Sequence, residues 1–266
     1  MKSDSQNPEV IDYHLVADTA MLAGEMMLIA GAETYRVEDT ISRILKTTNF
    51  ARCDAFVVTT GIMLTLEDWK IGTISLTRRV GEKQTNLGNI EKINDISRKY
   101  CSGELTLKET FHQLKYMKSV SYPDWLTYIA IILCASCFAL ILGGTATEFM
   151  LAGFNGLFIV LGRMVNKKLK LNSFVLNLFT SYLIAFSSFF FQEMLFPQLL
   201  LEPLIAGSVM VLLPGMAMTT GIRDTLEGDF MSGSARMIEA FVIAASIAVG
   251  IGVGLSSCSS LFSYFK

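Results

Sequence analysis

The chain has 266 residues, 52% of them hydrophobic and only 17% charged, with a formal net charge of −2 and a mean hydropathy of +0.46. That balance excludes a general nucleic-acid binder, which needs a basic surface to displace counterions. Five cysteines (Cys53, Cys101, Cys134, Cys137, Cys258) are an odd and scattered set, which fits reduced thiols rather than a disulfide framework.

The charges are unevenly placed. Residues 1–123 carry 31 of the 46 charged side chains, whereas 125–147, 149–162, 171–192, 203–222 and 240–265 carry none. A helix needs roughly 20 residues to cross a hydrocarbon layer of about 30 Å, and each run is that long or nearly so. The expected fold class is an α-helical membrane protein: five transmembrane helices preceded by a small cytoplasmic α+β domain. The domains are then 1–123 and 124–266.

In the first domain, Ile11, Leu15, Leu22, Met26 and Ile29 recur at helical spacing. Gly31 suits the stop of that helix, and Thr34 can cap a second one with Val37, Ile41, Ile44 and Leu45 on its stripe. The period then changes: Phe56 to Leu66 and Ile71 to Thr77 read as two strands, with Glu67-Asp68-Trp69-Lys70 as the turn. A helix over Asn89–Tyr100 follows. Another opens at the capping box Thr106–Glu109 and carries Leu107, Phe111 and Leu114. Residues 1–14 are polar and the first helix holds Asp18 and Glu25, which does not read as a cleavable signal peptide.

The second domain begins after Pro123, with Trp125 and Tyr128 at an interface position. Its spans are expected at about 125–143, 147–164, 172–192, 200–220 and 236–258. If five spans alternate, Lys115, Lys118, Arg163, Lys167, Lys168, Lys170, Arg223 and Arg236 share one side, and Glu148, Glu193 and Glu202 the other. The positive-inside rule then places the first domain in the cytoplasm and the C-terminus outside the plasma membrane. Gly153, Gly156, Gly162, Gly250, Gly252 and Gly254 read as helix-packing positions.

Chemistry is expected around the end of the fourth span. Pro214 and Gly215 should break that helix, and freed backbone groups at such breaks often surround a substrate or ion. Thr219, Thr220 and Asp224 follow within reach. Arg223 or Arg236 can meet a substrate carboxylate, and Asp224 can carry a coupled proton; the competing reading is a solvated loop whose charges do nothing special. Asn155 is a further polar candidate inside a span. In the first domain Gly31, Glu33, Arg36 and Glu38 mark a helix start, where acids complement the helix dipole; a gating role is the alternative. Cys134-x-x-Cys137 reads as packing. His14 and His112 stand alone, so no metal is expected. No phosphate-binding loop or nucleophile motif is present, so no cofactor is expected and transport must use a gradient. A membrane-tethered hydrolase and a regulatory subunit are the rivals from other classes.

The Gly31–Asp39 segment, the charge-free runs and the series Pro214-Gly215, Arg223-Asp224, Gly228, Gly233, Arg236 together resemble the threonine/serine exporter family. The likeness is to its short form, which holds the N-terminal half (YjjP-like). The resemblance implies a non-enzymatic secondary transporter for threonine and serine, or, in short-form pairs, a succinate-like dicarboxylate. It also implies a second small membrane protein supplying the other half. Homo-oligomerisation, the lipid bilayer and a small-molecule substrate complete the expected partners.

Overall fold

The computed structural model describes residues 12–265 except Asn49, Lys70, Ile71 and Glu82. Ile11, Lys70 and Ile71 of the expected elements lie outside that set. The chain divides into two compact units. One comprises the described residues up to Val120 with Thr219–Arg236; the other comprises Ser121–Met218 with Met237–Lys266.

The first unit starts with α1 (Tyr13–Ile29) and α2 (Thr34–Lys46). Helix α1 buries Val16, Ala17, Ala20, Met21, Ala23, Gly24, Met27 and Leu28, while Ile29 is exposed. The sequence stripe through Leu22 and Met26 is therefore the less buried side. The cause is that α1 is central: α2, α3, α4 and the sheet all pack on it. Small residues mark its closest contacts; a Cβ on Gly24 would lie 2.5 Å from Ile41. The α2 stripe is as expected, with Val37, Ile41, Ile44 and Leu45 fully buried.

Three strands follow, not two: β1 (Arg52–Val58), β2 (Gly61–Asp68) and β3 (Gly72–Arg79), in an antiparallel meander of order β1-β2-β3. The run read as one strand from Phe56 folds back at Thr59-Thr60, where Val58 pairs with Gly61. That two-residue turn lacks the Asn-Gly or Asp-Gly pair that usually announces a hairpin. On β2, Ile62, Leu64 and Leu66 point to the core and Met63 to the outside. Helices α3 (Leu87–Cys101) and α4 (Leu107–Lys115) close the unit, and both bonds of the Thr106–Glu109 capping box form.

The second unit contains α5 (Asp124–Ile141), α6 (Ala146–Leu169), α7 (Ser173–Met194) and α8 (Leu201–Val209), the last extended by a 3-10 turn over Met210–Leu212. Helix α9 (Gly215–Leu226) and the long α10 (Phe230–Phe265) complete the chain. Among the described residues, four helices are long and apolar enough to cross a membrane: α5, α6, α7 and α10. The fourth expected span is broken at Leu213-Pro214 with a 63° bend, so the number reaches five only if the bent pair counts as one. Proline at the break has no amide hydrogen to donate and cannot continue the helix.

Glycines set the helix spacing in the second unit. A Cβ on Gly250 or Gly254 would meet the carbonyl oxygens of Leu178 (2.4 Å) and Tyr182 (2.6 Å). An equally tight approach is at Gly207, whose added Cβ would lie 2.4 Å from the Ala139 nitrogen. Gly252 faces open space. Close backbone approach of this kind is how helices associate where lipid removes the hydrophobic drive.

Candidate functional site

Gly31, at φ +84, ends α1 in a conformation that side chains disfavour, and turns the chain into α2. The first N–H groups of α2 have no partners within the helix. Glu33 occupies the N-cap position, but its side chain does not cap. Asp224 on α9 takes that place. Its Oδ1 accepts the backbone N–H of Thr34 (3.1 Å) and the Thr34 hydroxyl (3.0 Å).

Arg236, in the first turns of α10, completes the arrangement. Its Nη2 donates to the Ala32 carbonyl (2.7 Å) and its Nη1 to Thr220 Oγ1 (3.2 Å). Its Nε lies 3.0 Å from Asp224 Oδ2. That contact is an ion pair without hydrogen-bond alignment, so one carboxylate oxygen and one guanidinium N–H are left without a hydrogen bond. Asp224 is fully buried and Arg236 is 7% exposed. Beside them, Arg223 donates to Glu33 Oε1, and Arg36 Nη1 lies 3.3 Å from Glu33 Oε2. Buried Glu33 is thus held between two guanidinium groups.

The local fold explains how α9 and α10 deliver these groups. Gly228, at φ +95, ends α9, and the Asp229 N–H bonds the Asp224 carbonyl. Asp229 Oδ1 then accepts the Ser232 N–H and caps α10. Gly233 packs against the α9 backbone, with its added Cβ 2.9 Å from the Gly221 oxygen. Glu38, one turn along α2 from Thr34, accepts the Val57 N–H (3.0 Å). Burial pushes its carboxyl above the ordinary value, the Val57 bond opposes that, and the Asp229 charge adds to it.

The structure therefore gathers Glu33, Arg36, Thr220, Arg223, Asp224 and Arg236 in one cluster of the first unit, with Gly31 shaping the turn. Thr219 precedes Thr220 on α9. Pro214 and Gly215 belong to the break; Gly215 is about 13 Å from Asp224 along the helix, at 1.5 Å per residue. Asn155 belongs to a different cluster, in the second unit. Its Nδ2 donates to Ser188 Oγ (3.0 Å) and Ser208 Oγ (3.1 Å), and its Oδ1 accepts from Ser187 (2.8 Å). Sequence reasoning missed Thr34 as the donor to Asp224, the Ala32 carbonyl that accepts from Arg236, and the three serines. The serines carried a signal, since hydroxyls in apolar spans favour helix-to-helix bonds.

Chemically, the first cluster holds a guanidinium that fits a carboxylate, a carboxylate that fits an ammonium, and two threonine hydroxyls. Here the charges satisfy each other.

A family model described as "Putative threonine/serine exporter" matches residues 18–257. A Mycobacterium tuberculosis protein named "Probable threonine/serine exporter" is 24% identical over 249 residues, covering 90% of this chain and 46% of that protein. An uncharacterised Schizosaccharomyces pombe protein is 22% identical over 178 residues, 64% of this chain and 21% of its own length. The chain thus spans less than half the length of these curated relatives. No solved structure shows a significant match. From a match running through nearly every element described above, the chain is a multi-pass membrane protein that belongs to the threonine/serine exporter family.

Proposed function

We propose that the chain is one part of a plasma-membrane exporter for threonine and serine, driven by the proton gradient. The family match over residues 18–257 carries this reading. The chemistry of the first cluster supports it. When the internal pairs open, Arg236 or Arg223 receives the substrate carboxylate, Asp224 its ammonium, and Thr34 and Thr220 its hydroxyl. The match covers 46% of that relative's length, and in this reading the chain works as one half of a transporter together with a second membrane half.

The first unit faces the cytoplasm in this reading, and all five candidate spans cross. The basic run Arg163 to Lys170 supports that side. Lys167 Nζ lies 2.6 Å from Asp124 Oδ1, which puts the start of α5 and the end of α6 together, as alternating spans require.

A dicarboxylate is the second reading. The specific observation is that two guanidinium groups, Arg223 and Arg236, each already hold a carboxylate. Cells fed a threonine-containing dipeptide separate the two. Deleting the chain should raise intracellular threonine and slow its appearance outside. Accumulation of succinate with unchanged threonine selects the second reading. No change in either removes both.

A further inference from the structure

A cavity of about 750 Å³ in the first unit lies away from the cluster described above. It opens where the N-terminal end of α1, the C-terminal ends of α2 and α3, and the start of α4 meet. Cavities of roughly 300–1,000 Å³ with an apolar body and a few convergent polar groups are the usual form of small-molecule sites. This one has that form. Leu15, Val16 and Leu105 supply apolar lining. Thr47 Oγ1 and the Tyr100 hydroxyl, both in the lining, are 3.0 Å apart. Thr47 Oγ1 donates to the Ile44 carbonyl (2.7 Å), so the Tyr100 hydroxyl donates to Thr47 and the pair accepts a hydrogen bond from a third hydroxyl or an ammonium.

The charged lining selects among ligands. It contains one carboxylate, Asp12, and one ammonium, Lys108. Neither forms an ion pair among the described residues. Asp12 uses Oδ1 to cap α1 through the Leu15 N–H (3.1 Å), which leaves Oδ2 for a ligand. A phosphate or a dicarboxylate would find one cation and one repelling acid. A zwitterion finds a partner for each charge, and the same lining offers hydroxyls and aliphatic groups for a small hydroxylated side chain.

We propose that this cavity binds a small zwitterionic hydroxy amino acid as a regulatory ligand, so that the first unit senses the cargo of the exporter. The identity of the cargo rests on the export reading; the zwitterion preference rests on the lining alone.

Cys101 lines the cavity and is exposed, so it reports occupancy. The full chain in lipid nanodiscs is alkylated with a maleimide, and the rate at Cys101 is read by peptide mass spectrometry. L-threonine should slow that rate severalfold, whereas threoninol, which lacks the carboxylate, and inorganic phosphate should not. Asp12→Asn and Lys108→Gln should each abolish the protection. Asparagine still caps α1 at position 12, and Lys108 is exposed, so both variants keep the fold. Absence of protection by threonine, or equal protection in both variants, overturns the proposal. Protection in a chain that exports no threonine would uphold the site and remove the export reading. Export without protection would do the reverse.

Discussion

One carboxylate oxygen of Asp224 receives both the backbone N–H and the hydroxyl of Thr34, a residue 190 positions earlier in the chain. Helix α2 is therefore capped by a side chain from α9 rather than by its own N-cap residue Glu33, which is engaged with Arg36 and Arg223. The two motifs that the sequence displays at opposite ends of the chain are halves of one buried structure.

Asp224→Asn should destabilise the first unit. Asparagine keeps an oxygen for Thr34, but Arg236 is then a guanidinium at 7% exposure with no counter-charge. Removing one partner of a buried ion pair costs roughly 3–5 kcal/mol. The double variant Asp224→Asn/Arg236→Met should recover most of that loss and still fail to export. Denaturant midpoints for both variants check the first statement, and threonine efflux checks the second. A double variant as unstable as the single one would show that the pair is not the source of the loss.

How much of this was legible follows from which physical signals are local. Helix type, the α2 stripe, the Thr106–Glu109 box and the break at Pro214 each depend on neighbours within a few residues, and each was readable. The buried face of α1 was not. A helix packed on several sides has no polar face to set a period, and alanine and glycine carry the closest contacts. The turn at Thr59-Thr60 lacked a turn signature. For the cluster, the residue types and helix ends were visible, so Arg223, Asp224 and Arg236 stood out. Their partner Thr34 did not, because a contact across 190 positions has no signature in either segment alone. Gly207, which makes as close a helix contact as Gly250, was passed over because it stands alone rather than in a glycine series.

Gly207→Ala should separate α5 from α8. Its Cβ would sit 2.4 Å from the Ala139 nitrogen and 2.5 Å from the Ala139 Cα, and backbone atoms cannot turn aside as a flexible side chain does. Overpacking of this kind costs about 1–3 kcal/mol. Gly252→Ala, which meets nothing within 4 Å, is the matched control. Thermal unfolding in detergent should show a lower midpoint for the first variant and an unchanged one for the second. Equal midpoints would contradict the close approach.

Glu38 gives the first unit a pH dependence of definite sign. Burial and the Asp229 charge raise its carboxyl in the folded chain above the ordinary 4.5, despite the Val57 bond. The folded state then holds this proton more tightly than the unfolded chain does. Its contribution to stability is fully present below about pH 4.5 and is lost as pH rises through the raised value. Glu38→Gln keeps an oxygen for the Val57 N–H and removes the titration. Stability of the variant should fall less between mildly acid and neutral pH than that of the parent chain. Parallel curves would assign the dependence to another group.

Glu148→Gln looks conservative and should not be. Glu148 is buried at 2% exposure, at the start of α6. Oε2 accepts the Thr145 N–H (2.7 Å) and the Thr145 hydroxyl, while Oε1 accepts the Leu200 N–H (2.9 Å) that precedes α8. Both oxygens are thus needed as acceptors, one for each helix start. Glutamine offers one oxygen and turns an NH₂ group toward the other donor, so either the α6 cap or the α8 tether is lost. An unsatisfied buried donor costs about 1–3 kcal/mol. Glu148→Gln should therefore lower the unfolding midpoint of the second unit nearly as much as Glu148→Ala. Limited proteolysis between Leu195 and Leu200, the segment that the carboxylate holds, should accelerate in both variants. If glutamine were to behave like the parent chain in both measurements, one oxygen would suffice and the two-helix tether would be wrong.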